Sequence, residues 1–219
     1  MAGIKTIKGV PGGLLVDGRP KILTEVYEGY KYDTVNCHNS GSAFASGQQF
    51  TFFRDLANKE LSATNFTQQR RISRGEEFDI KTIGLHISPL NTTWHASTGF
   101  GDPIDFAWMV QNMYLNIRIN KKDVSEGLAM FYPSGYGAVG SPNQAASNVC
   151  TNGVASPAAV RPLYKTISIN SDHDVEGVLT HYTHVNWDTQ YTSAAVAAAA
   201  GIHVKCILGG RVKSGITRG

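Results

Sequence analysis

MYLNIRIN, residues 113–120, alternates without a break. Met113, Leu115, Ile117 and Ile119 fall on one side, and Tyr114, Asn116, Arg118 and Asn120 on the other. A period of two with one apolar and one polar face is the pattern of a half-buried strand. The same reading extends in both directions along the chain. Strands are expected at Lys21–Tyr27, Gln48–Arg54, Phe78–Ile87, Leu128–Tyr132, Leu163–Ile169, Val175–Tyr182 and Ile202–Leu208. In QQFTFFR, residues 48–54, Phe50 and Phe52 share a face and Phe53 takes the other. In 78–87 the apolar phase slips from Phe78 and Ile80 to Ile83, Leu85 and Ile87. A slip of one residue predicts a β-bulge or a strand crossing between sheets.

Helical spacing is scarce. Asp102-Pro103 supplies an N-cap and a first-turn proline, and Phe106, Met109, Val110 and Met113 follow at helical intervals, predicting a short helix near 103–112. Ser193 before AAVAAAA, closed by Gly201, fits two helical turns or an alanine-lined subunit contact. Gly and Pro break every period in residues 1–20, which read as a flexible arm, and 133–162 reads as a long irregular surface loop. The expectation is an all-β chain: a two-sheet jelly-roll sandwich over 21–219, with one or two short helices.

Composition narrows the function. Of 219 residues, 17% are charged, against about 25% in an average soluble domain. Net charge is +3 and no Lys/Arg block is long, so strong direct nucleic-acid binding is not expected. No apolar run approaches a membrane span, and MAGIKTIKGVPGG at the start has no apolar core, so neither a transmembrane segment nor a secretion signal is expected. Cys37, Cys150 and Cys206 are scattered, which suits a reducing compartment. The turn 68–74, QQRRISR, reads as a salt-bridged contact with an acidic patch on a neighbour, and Glu76-Glu77 as the solvated start of a strand.

One stretch gathers metal-binding side chains: 171–188, with Asp172, Asp174, His181 and His184 as the candidate ligands. On a strand, His181 and His184 point to opposite faces, which disfavours chelation, and solvated turn charges with hydrogen-bonded sheet histidines are the plainer reading. No nucleophile elbow, phosphate-binding loop or dinucleotide fingerprint occurs, so no catalytic or cofactor-binding residue is assigned, no cofactor is expected and the chain is not read as an enzyme. Trp94, Trp108 and Trp187 offer faces on which a sugar would stack, the basis of an alternative carbohydrate-binding reading.

The stretch 50–88, FTFFRDLANKELSATNFTQQRRISRGEEFDIKTIGLHIS, resembles the β-barrel (jelly-roll) capsid proteins of tailless bacterial viruses in layout and composition. The ending IHVKCILGGRVKSGITRG, residues 202–219, resembles the last barrel strand and short tail of such proteins. The resemblance implies a capsid shell subunit of a bacteriophage, assembled in the host cytoplasm into a virion. Its partners would be copies of itself and other virion proteins. A strongly basic amino-terminal arm, common in small viruses that condense their genomes on the shell, is missing. Independently of the resemblance, low charge reduces repulsion and desolvation cost at contacts between copies.

Overall fold

In a computed structural model, residues 5–6, 13–16, 19–22, 24–37, 46–89, 111–135, 160–182 and 202–215 are described. They form eleven strands: β1 (Lys5–Thr6), β2 (Gly13–Val16), β3 (Arg19–Ile22), β4 (Thr24–Cys37), β5 (Gln49–Phe52), β6 (Glu76–Pro89), β7 (Met113–Ile119), β8 (Lys122–Leu128), β9 (Arg161–Asn170), β10 (Val175–His181) and β11 (Ile202–Gly215). The region read as an arm contributes β1, β2 and the first half of β3, which make a small antiparallel sheet of their own.

The other eight strands make two four-stranded sheets, ordered β4-β11-β6-β9 and β5-β10-β7-β8. All pairings are antiparallel, and four of them nest: β4 with β11, β5 with β10, β6 with β9 and β7 with β8. First pairs with last, second with second-last, down to the innermost hairpin. A long hairpin folded over on itself gives this nesting, with successive strand pairs assigned alternately to two sheets. The result is the jelly roll, an all-β sandwich. Strand direction follows from the nesting. β4, β6, β8 and β10 end, and β5, β7, β9 and β11 begin, at one pole; 53–75, 120–121 and 171–174 close the other.

Residues 113–119 are buried at every odd position and half-buried between, as the alternation requires. The following turn is tight. Asn120 and Lys121 both have positive φ, 51° and 65°, and Ile119 pairs with Lys122. That is the backbone a two-residue hairpin needs to match the twist of its strands. The phase slip in β6 is a bulge. Gly209 pairs with Thr82 but Gly210 with Ile80, leaving Lys81 as the extra residue. Phe78 and Ile80 before it, and Ile83 and Leu85 after it, therefore all reach the core. They meet Val204, Cys206, Leu208 and Ile169 of their own sheet and Phe52, Leu115, Ile117 and Leu179 of the facing one in a single cluster.

Several expectations need correction. Lys21–Tyr27 is not one strand: β3 ends at Ile22, and β4 continues to Cys37. Leu128–Tyr132 is not a strand either, because β8 ends at Leu128 and Ala129–Phe131 form a single 3-10 turn. β8 itself has no clean alternation, since Lys122, Asp123 and Glu126 leave it few apolar positions. Phe53 does not lie on an outer strand face. β5 stops at Phe52, and Phe53, at φ 65°, turns its ring inward onto Phe66, 4.5 Å between centroids. The expected loop 133–162 is shorter at its end, because Arg161 and Pro162 already belong to β9. Of the helix expected over 103–112, only 111–112 are described, and both are helical; 193–201 lies outside the described residues.

The connection 53–75 is built into the fold rather than merely polar. It carries Phe66 and Ile72 into the core. It also covers the free side of β4. Asn65 acts there like a neighbouring strand: its N–H donates to the Tyr32 carbonyl at 3.2 Å, its Oδ1 accepts from the Tyr32 N–H at 2.9 Å, and its Nδ2 donates to the Tyr30 carbonyl at 2.6 Å. An edge strand satisfied in this way no longer templates the addition of another strand.

Candidate functional site

The structure separates the residues that 171–188 places together in sequence. Ser171–Asp174 form the turn between β9 and β10. Asn170 organises it: Oδ1 accepts from the Asp172 N–H at 3.0 Å and lies 2.6 Å from His173 Nδ1. The turn is tied to its neighbour, because the Asp174 N–H donates to Asn120 Oδ1 at 2.8 Å and the Asn120 N–H donates to the Asp174 carbonyl, also at 2.8 Å. His181 sits at the far end of β10, about 20 Å away at ~3.4 Å per residue, and is fully buried. Asp172 and Asp174 therefore do not share a point with His181; His184 lies outside the described residues. Among the described residues, no three His, Cys, Asp or Glu side chains converge as ligands of one ion do.

The acidic side chains near that turn have an internal partner. Arg70 donates from Nη2 to Glu176 at 2.6 Å and from Nη1 to Asp174 at 3.5 Å. Its carbonyl also accepts from the Val175 N–H at 2.7 Å. The expectation that 68–74 is a charged contact with a neighbour is therefore corrected for Arg70, whose guanidinium ties the 53–75 connection to β10. Arg71 and Arg74 are exposed. Glu76 is likewise not a solvated carboxylate: Lys31, itself nearly buried, donates to both of its oxygens at 2.8 Å. Glu77, by contrast, is exposed.

A groove lined by polar side chains lies on the outer face of the β4-β11-β6 sheet. Register explains it. Lys205 sits directly between Thr34 and His86, and His203 stands opposite Asn36. The segment 58–63 borders this face and leaves a cleft of about 600 Å³. The segment is held by Thr34 Oγ1 donating to the Ala63 carbonyl at 2.7 Å and Lys205 Nζ donating to the Ser62 carbonyl at 2.8 Å. Lys205 also stands 5.1 Å from the centre of the Tyr32 ring, within cation–π range. The alternation in 202–208 placed His203 and Lys205 opposite the core face. Nothing local placed them beside His86, more than a hundred residues away; the lateral pairing of β6 with β11, which lies outside the four nested pairs, does that.

Burial lowers the pKa of both imidazoles below the usual 6.5, and at His86 the Lys205 cation adds to the effect. The folded state then binds fewer protons than the unfolded chain in the window just below pH 6.5. Stability from these groups is complete above about pH 6.5 and is lost as the pH falls through the depressed folded values. Denaturation midpoints measured from about pH 7 to pH 5 should fall, and replacing His86 and His203 together by glutamine should reduce that slope. An unchanged slope in the double variant would contradict the assignment.

Cys37 and Cys206 are fully buried and free, and desolvation pushes both thiols far above their ordinary range. A neutral buried thiol is a small hydrophobe and a poor nucleophile. Cys150 and the three tryptophans lie outside the described residues. No helix among the described residues is long and apolar enough to cross a membrane. Comparison of the chain with protein-family models, with curated proteins and with solved structures returns no match in any of the three.

Proposed function

We propose that this chain is a virion structural protein, a capsid shell subunit of a bacteriophage that self-assembles through contacts of low charge. The observation that carries the reading is the state of the β4-β11-β6-β9 sheet at its two sides. Its edge strands are β4 and β9. β4 exposes Val26, Tyr27 and Tyr30 to about half or more of their surface, and β9 exposes Tyr164 completely. Of the eight large apolar side chains exposed among the described residues, three lie together on β4 and one on β9, and only clustered ones need an explanation. A shell subunit needs distinct contact surfaces on different sides. A composition with only 17% charged residues limits the cost of desolvating them.

The topology is compatible with the same reading without deciding it, since jelly rolls serve shells, lectins and cupins alike. Purified protein viewed by negative-stain microscopy should show rings, sheets or closed particles of uniform subunit spacing. Raising the salt should alter their yield less than it would for an assembly held by ion pairs. Fields containing only single small particles over a wide range of concentration and salt would overturn the proposal.

A further inference from the structure

The polar cleft on the outer face of the β4-β11-β6 sheet does not stop at Lys205 and His86. Those two side chains also line a second hollow of about 350 Å³, shared with Tyr30, Tyr32 and Ile207. The two spaces adjoin there and follow β4 from Tyr30 to Asn36, a run of about 20 Å at ~3.4 Å per residue. The aromatic end is flat. Gly209 stands opposite Tyr30 on β11, and a β-carbon there would meet Tyr30 Cε1 at 3.2 Å and Cδ1 at 3.4 Å. The Tyr30 ring therefore lies inward across the sheet, over a residue with no side chain, while Tyr30 keeps 56% of its surface exposed. The polar end is walled by 58–63, which Thr34 and Lys205 pin through the Ala63 and Ser62 carbonyls.

The lining selects a class of ligand. Its formal charges cancel, because Lys59 is paired with Asp33 and Lys205 is balanced by Glu60. Burial holds both imidazoles below their usual pKa, so they are neutral at pH 7. What remains is amide, hydroxyl and imidazole, which set donors and acceptors side by side. Among the described residues, the side chains of Asn58, Ser62 and His203 make no hydrogen bond, so that capacity is available to a ligand. Lys205 disfavours a cation, Glu60 disfavours an anion, and an apolar ligand would strand the polar groups. We propose that this cleft binds a neutral oligosaccharide, with one sugar ring stacked on Tyr30 and the hydroxyls of its neighbours hydrogen-bonded by Asn58, Ser62 and His203. A sugar ring has apolar C–H faces and a rim of hydroxyls that both donate and accept, which matches a tyrosine platform continued by amide and imidazole. The pinned wall means that little order is lost on binding. The site uses none of the three tryptophans.

This inference goes beyond the shell reading and does not rest on it, since a chain that stays monomeric still presents the cleft. The full chain is screened on an array of neutral and acidic oligosaccharides, with adenosine as a non-sugar aromatic control, and the strongest binder is titrated by calorimetry. A neutral oligosaccharide should bind with a Kd on the order of 1 mM or below, unchanged between about 50 and 500 mM salt. Tyr30→Ala should weaken it by about tenfold or more. Asn58→Gly should weaken it by about threefold, because it removes the amide and glycine accepts the φ of 60° at that position. Thermal melting checks each variant, and Asn58→Gly carries the test if loss of the Tyr30 ring over Gly209 disturbs the sheet. Neutral-saccharide binding undiminished in the folded variants overturns the site. Binding of acidic glycans or adenosine alone overturns the ligand class. No binding by any of them overturns the inference.

Discussion

Gly210→Ala is expected to cost about 3 kcal/mol or more of folding stability, with a melting midpoint lowered by roughly 10 °C. The reason is local and severe. At the bulge, a β-carbon on Gly210 would run into the backbone carbonyl of Asp79 on the neighbouring strand, with the Asp79 carbonyl carbon 2.9 Å and Ile80 Cα 3.2 Å away. The obstacle is main chain in the centre of a sheet, so no side-chain rotation relieves it. β11 and β6 would have to separate where Phe78, Ile80 and Val212 are buried. Gly29→Ala provides the control. Its added carbon meets a methyl of the buried Val212 side chain at 2.8 Å, which must shift but is a single side-chain group rather than main chain. Thermal denaturation of the two variants should give the larger loss for Gly210→Ala and the smaller one for Gly29→Ala. Equal losses would mean that the register assigned at Lys81 is wrong.

Asp33→Ala is expected to cost about 3 kcal/mol. Asp33 faces inward from an edge strand and is fully buried. Its carboxylate accepts from the Phe53 N–H at 2.6 Å and from Lys59 Nζ at 2.8 and 3.1 Å. Alanine strands a buried N–H and removes the counter-charge of Lys59. It also releases Phe53, a bulky residue held at φ 65° against its preference. Lys59 is partly exposed and can turn to water, which places the loss at the lower end for a broken buried pair. Asp33→Asn keeps an acceptor for the Phe53 N–H and should cost less. Urea denaturation should rank wild type above Asp33→Asn, and Asp33→Asn above Asp33→Ala. If the two variants lose the same amount, the Phe53 hydrogen bond has no separate weight.

How much of this was readable from sequence depended on the range of the interaction that fixes each feature. Residues 113–119 announced their faces, because burial on one side of a sheet imposes a period of two. The slip between Ile80 and Ile83 announced the bulge for the same reason. The inward turn of Phe53 was hidden, because its cause is Asp33 on another strand, joined to it only in the folded chain. Lys31 and Asp33 gave no sign of burial, since a charged residue reads as solvated until its partners, Glu76 and Lys59, are known. For the candidate ligands of 171–188 the strand reading already disfavoured chelation, and the extended conformation of β10 holds Asp174 and His181 apart. The outer-face cleft could not be read at all, because Asn36, His86 and His203 come from β4, β6 and β11, which meet only in the folded sheet.

The account turns on whether copies of this chain bind one another, and the mass of the purified species in solution tests that most directly. Light scattering across a concentration series should report a discrete assembly many times the 23.7 kDa of the single chain. A mass that stays at the single-chain value up to the highest attainable concentration would contradict the account.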